Sequence, residues 1–119
     1  MSKAVKLALA LTVGATVAGC QTAPPTLYQW ESYQPQVYEY FKGEPKEAQV
    51  EALERDLQKI NASGRKAPPG YHAHLGMLYL SMGKDDQMVQ ELRTEKALFP
   101  ESATYMDMLL KNAKAGDVK

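Results

Sequence analysis

Four clusters of helix-breaking residues divide the chain and fix its architecture more tightly than any other feature. They are Gly43-Glu44-Pro45, the stretch from Ala62 to Gly70, Gly83-Lys84 and Phe99-Pro100. The stretches between them run for about a dozen residues, too long for ordinary strands, and their apolar positions recur every three or four residues. In the clearest stretch Val50, Leu53, Leu57 and Ile60 are spaced 3, 4 and 3 apart, which forms one stripe of a helix. No stretch alternates polar and apolar residues as a half-buried strand would. An all-α fold of about five short helices in antiparallel hairpins is therefore expected, over residues 28–116.

The breakers also predict where each helix begins and ends. Pro35 suits the first turn of a helix running to about Lys42, with Gly43 as its stop. Pro45 opens a second helix to about Asn61, on which Glu51 and Arg55 lie four apart on the solvent side. Tyr71 to about Met82 forms a third, with Tyr71, Leu75, Leu78, Tyr79 and Met82 on a wide apolar face. Gly76 sits inside that helix at a cost of roughly 1 kcal/mol against alanine, which suggests close approach by a neighbour. Asp85 or Asp86 is placed to cap a fourth helix carrying Met88, Val89 and Leu92. Ser102 is placed to cap a fifth, with Met106, Leu109, Leu110 and Ala113 inward and Gly116 as its stop.

Residues 28–41 hold six of the ten aromatic side chains: Tyr28, Trp30, Tyr33, Tyr38, Tyr40 and Phe41. Packing of these rings onto the following helices is the expectation, since small domains depend on aromatic burial. The alternative is a contact surface, for which an apolar ring with a polar tip is well suited.

Charge excludes one large class of function. The chain has 14 Lys+Arg against 14 Asp+Glu, so no bulk positive field exists to hold a nucleic acid. A short positive start at Lys3 and Lys6 precedes an apolar run from Leu7 to Val17, and these 11 residues are far fewer than the roughly 20 that span a bilayer. Val17-Ala18-Gly19-Cys20 follows, ending in the only cysteine of the chain. These four residues resemble the bacterial lipobox. The resemblance implies cleavage between Gly19 and Cys20, a diacylglyceryl group on the Cys20 thiol and acylation of the new amino terminus. Residues 1–19 are then a signal peptide, and residues 20–27 the lipidated cysteine with a short linker. Removing residues 1–19 takes Lys3 and Lys6 away and leaves 12 basic against 14 acidic groups. Gln21 stands where an aspartate would favour inner-membrane retention, so the expected location is the outer membrane, on its periplasmic face.

Leu75-Gly76, Tyr79, Gly83, Leu92 and Pro100 resemble the anchor positions of a tetratricopeptide repeat. Met88 and Glu95 depart from it, because that motif places small residues there. Across most of the mature chain the sequence also resembles a group of small bacterial lipoproteins catalogued as domain of unknown function 4810. The resemblance is carried by Leu27-Tyr28-Gln29-Trp30-Glu31-Ser32-Tyr33, by Pro68-Pro69-Gly70 with His74-Leu75-Gly76, and by Glu95 to Ser102. It implies work in an envelope assembly and brings no activity with it.

Chemistry-bearing patterns are sparse. His72 and His74 are the only histidines, and two residues apart on a helix they point about 200° apart. His72 is expected to be exposed and His74 partly packed, with no metal site. No nucleophile elbow and no phosphate-cradling glycine loop is present. Acidic residues along 46–61 and 85–97 are expected on solvated faces. Met77, Met82, Met88, Met106 and Met108 would suit an adaptable apolar groove, although core packing is the simpler role. No catalytic set, cofactor or small-molecule substrate is expected beyond the lipid on Cys20. The expected function is a non-catalytic helical adaptor that meets the bilayer through its acyl anchor and an envelope protein through Tyr28, Trp30, Tyr71, Leu75 and Tyr79. The alternative is an accessory lipoprotein that binds peptidoglycan or regulates an envelope enzyme.

Overall fold

The computed structural model describes residues 26–116; the expected signal peptide, Cys20 and most of the expected linker lie outside them. The described chain is all-α. Helices α1 (Tyr33–Lys42), α2 (Lys46–Ala62), α3 (Tyr71–Ser81), α4 (Asp85–Leu98) and α5 (Ala103–Gly116) follow in order, and a 3-10 turn at Pro100–Ser102 leads into α5. Short turns join α1 to α2 and α3 to α4, so each pair forms a hairpin. The α3–α4 pair packs most extensively, and α5 lies against α4.

The α2 stripe does what its spacing demands. Val50, Leu53 and Ile60 are buried and Leu57 packs against them, each buried side chain contributing roughly 1.5–3 kcal/mol. Tyr71, Leu75, Leu78 and Tyr79 from α3 meet Met88 and Leu92 from α4 and Met106 from α5 in one cluster. Leu109, Leu110 and Ala113 of α5 and Val89 of α4 are only half-buried at its edge. Gly76 is the point of closest helix approach, since a Cβ there would stand 3.2 Å from Leu92 Cδ2 and 3.4 Å from Glu91 Cβ. The stretch from Ala62 to Gly70 is less open than its composition suggests, because Ala67 and Pro68 turn inward and are buried.

Helix starts differ from the expected caps. Lys84, with no side-chain bond, occupies the N-cap of α4, while Asp85 and Asp86 lie in its first turn. There they favour the positive end of the helix dipole without capping it. Ser102 does not cap α5 either; its Oγ donates to the Phe99 carbonyl at 2.7 Å and closes the 3-10 turn. The carboxylates that satisfy helix starts come from across each hairpin. Asp56 of α2 accepts from the Ser32 N–H at 3.1 Å and from the Ser32 hydroxyl, at the amino end of α1. Glu95 of α4 accepts from the Gly70 N–H at 2.6 Å and the Ala73 N–H at 3.3 Å, at the amino end of α3. Both carboxylates are buried, contrary to the solvated faces expected of them.

Candidate functional site

The amino end of α3 gathers close contacts from α1, α2 and α4. Gly70 has φ +90°, a conformation that disfavours any side chain, and a Cβ there would lie 2.9 Å from the Tyr33 hydroxyl. Burial, and secondarily the Glu95 charge, raises the Tyr33 hydroxyl above its ordinary pKa, so the phenol stays protonated. Tyr71 donates its own hydroxyl to the Leu53 carbonyl at 2.6 Å, tying α3 to α2.

His72 and His74 sit on either side of this knot; His72 is buried where exposure was expected, and His74 is partly packed as expected. His72 is buried, and its Nδ1 lies 2.6 Å from a Glu91 oxygen on α4. Crossing from α3 to α4, that contact gives a polar partner to a ring the packing encloses. His74 is half-buried with its ring 5.3 Å from that of Tyr40 and 6.1 Å from that of Tyr33. Its Nε2 is buried with no hydrogen-bond partner among the described residues. Burial lowers the His74 pKa and keeps the ring neutral. Among the described residues no group of three or more His, Cys, Asp or Glu side chains is placed to hold a metal ion.

Among the described residues, two further surfaces are apolar and open. A groove of about 580 Å³ runs between α3, α4 and α5, lined by Met77, Leu80, Met88, Leu92, Leu109 and Ala113, with Asp85 and Asn112 among its polar lining. It exists because α5 covers only part of the apolar face that α3 and α4 present together. Flexible methionine side chains from both α3 and α4 line it, which suits an adaptable apolar contact. The second surface is α1, which buries no residue. Tyr38 is 65% exposed and Phe41 79%, so their rings face solvent rather than packing as expected. Tyr33 alone of that helix's aromatics joins the core edge.

Four of the five side chains expected to meet a partner lie elsewhere than on a free surface. Tyr71 and Leu75 are core, without exposed surface to offer. Tyr79 is buried too and donates its hydroxyl to Glu54; burial, reinforced by that bond, raises its pKa. Tyr28 is half-buried edge-on against Phe99, 5.9 Å between ring centres. Trp30 is the exception, 39% exposed and tilted on Tyr33. Gly19 and Cys20 lie outside the described residues. The methionines divide: Met77 and Met88 line the groove, Met106 is core, Met82 packs at the core edge and Met108 is exposed. The exposure of Tyr38 and Phe41 has a signal in the sequence. Tyr33, Val37 and Tyr40 already fill one face of a ten-residue helix, so further rings there exceed what one face can bury.

The family model described as Domain of unknown function (DUF4810) matches residues 27–109, from just before α1 into α5. The chain belongs to this family. The match takes in both hairpins, both buried carboxylates and most of the groove lining. No curated protein matches the chain, and no solved structure does.

Proposed function

We propose that this family member is a lipoprotein held to the periplasmic face of the outer membrane through Cys20, where it acts as a tetratricopeptide-like, non-catalytic adaptor. Its partner is an apolar or amphipathic segment of another envelope protein, received in the groove between α3, α4 and α5. The observation that carries this reading is the groove itself, about 580 Å³ of open volume floored by Met88 and Leu92. A soluble domain leaves such a surface uncovered at a cost in solubility, and grooves of this kind take helical segments by their apolar face. The paired hairpins, each with a buried carboxylate at the start of its first helix, support the repeat-like reading. The lipobox resemblance of Val17 to Cys20 supports the anchor. No helix among the described residues is long and apolar enough to cross a membrane.

Site-specific photocrosslinking in cells tests the reading. A crosslinker at Met77 should yield one discrete protein adduct, and one at Arg55, on the far side of α2, should yield none. No adduct at Met77, with the protein pelleting on purified sacculi instead, would replace the adaptor with the wall-binding accessory. In the same strain Cys20→Ser should leave unlipidated precursor and abolish fractionation with the outer membrane.

A further inference from the structure

On the side of α5 away from the apolar groove, a second concavity of about 420 Å³ opens between α4 and α5. Arg93 and Lys96 line it from α4, and Lys111 and Lys114 line it from α5, around Leu110 and Asp107. Asp107 is already engaged, because Lys96 Nζ reaches its two oxygens at 2.7 and 2.8 Å. Arg93, Lys111 and Lys114 make no ion pair among the described residues. Three cations with no ion pair among the described residues therefore converge on one depression from two helices.

We propose that this depression binds the phosphate of an anionic lipid headgroup. Bulk composition does not produce the cluster, since residues 26–116 carry 11 basic and 13 acidic groups. The helix dipole accounts for basic residues at the end of α5, where Lys114 lies in the last turn. It does not account for Arg93 in the body of α4, facing the same space. Like charges in one groove repel, and an anion between them reverses the sign of that interaction. Arg93 supplies a planar fork matched to phosphate oxygens, the lysines supply mobile point charges, and Leu110 offers an apolar floor for the carbon next to the phosphate.

The position of the groove selects the lipid source over free phosphate. Tyr28, next to the linker, packs edge-on against Phe99, which lies one helical turn beyond Lys96. Arg65 donates to the Thr26 carbonyl at the same end of the bundle. Residues 21–26 have a contour length of at most about 20 Å, so with Cys20 in the bilayer the basic groove stays within reach of the headgroups. This step rests on the anchoring reading above.

Thermal unfolding of the purified full-length protein in dodecyl maltoside micelles tests the proposal. Doping the micelles with phosphatidylglycerol should raise the midpoint by roughly 5 °C, and the same amount of phosphatidylcholine should not. Arg93→Gln combined with Lys111→Gln should abolish the rise, since each basic group near an anionic surface is worth roughly fivefold in affinity. Lys46→Gln combined with Arg55→Gln, an equal loss of charge elsewhere, should keep it. An equal rise with both lipids, or a rise that survives in the Arg93/Lys111 variant, overturns the proposal. Inorganic phosphate alone giving the full rise overturns the lipid assignment in favour of a free phosphate site. The Arg93/Lys111 variant should still form the Met77 adduct, so failure of this site and failure of the adaptor reading are separable.

Discussion

Individual residues show how a small helical domain manages buried polarity. Asp56 and Glu95 take the place of local caps at the starts of α1 and α3, where neither Ser32 nor Gly70 supplies a capping side-chain bond. A carboxylate at a helix amino end is favoured by the dipole, and each of these also fastens two helices together. Burial alone would raise the Asp56 pKa, but its bonds from Ser32 and Lys59 outweigh that and hold it below the usual carboxylate range. His74 is the opposite case, a half-buried polar ring whose Nε2 has no partner among the described residues. Its pKa is below the ordinary value of about 6.5 in the folded state, so the unfolded chain binds more protons just below that pH. The stability it contributes is present above pH ~6.5 and is lost as the pH falls toward its folded value. Unfolding midpoints measured from pH 7 to 5 should therefore fall for the native chain. His74→Phe, which keeps an aromatic ring between Tyr33 and Tyr40, should flatten that fall; an unchanged slope would remove His74 as its source.

At the scale of helices, the α3–α4 contact is set by Gly76. Alanine there gains roughly 1 kcal/mol of helix propensity but places a Cβ 3.2 Å from Leu92, which is itself buried. The two effects nearly cancel, so Gly76→Ala should change stability by less than about 1 kcal/mol in a denaturant titration. Gly76→Val has no such compensation and should cost roughly 1–3 kcal/mol by overpacking. A valine tolerated without loss would show that α3 and α4 can separate there. The same helices show what was legible beforehand. Helix number, order and approximate ends followed from Gly43, Pro45, Gly83 and Pro100, because breakers act through local backbone sterics. The stripe of Val50, Leu53 and Ile60 followed from period alone. The cross-hairpin carboxylates did not, since Asp56 and Glu95 look like any surface acid until a partner some 24 residues away is brought beside them. His72 was misread for the same reason: its enclosure depends on Glu91, which only hairpin closure supplies. The apolar groove was half legible, as a surplus of methionine whose sites of exposure depend on how far α5 covers the pair beneath it.

At the scale of the molecule, the described residues expose apolar surface on the outer side of α1 and in the groove beside α5, besides single side chains such as Leu27, Leu98, Tyr105 and Met108. The core does not need the first of these. Tyr38 and Phe41 are mostly exposed, whereas Tyr33 from the same helix packs at the core edge beside Gly70. Replacing Tyr38 and Phe41 together by serine should shift the unfolding free energy by no more than about 0.5 kcal/mol, the range of surface changes that touch no special feature. Tyr33→Ser should cost roughly 2–4 kcal/mol, because it removes a ring stacked on Tyr71 at 5.2 Å and opens a void beside Gly70. Chemical denaturation of the two variants side by side separates a helix that is held by one ring from one that depends on all of them. If the double serine variant unfolds as easily as Tyr33→Ser, the rings of α1 belong to the fold. If it is as stable as the native chain but yields less of the Met77 adduct in cells, those rings have a second role on the same partner, and one chain grips it at two points along the bundle.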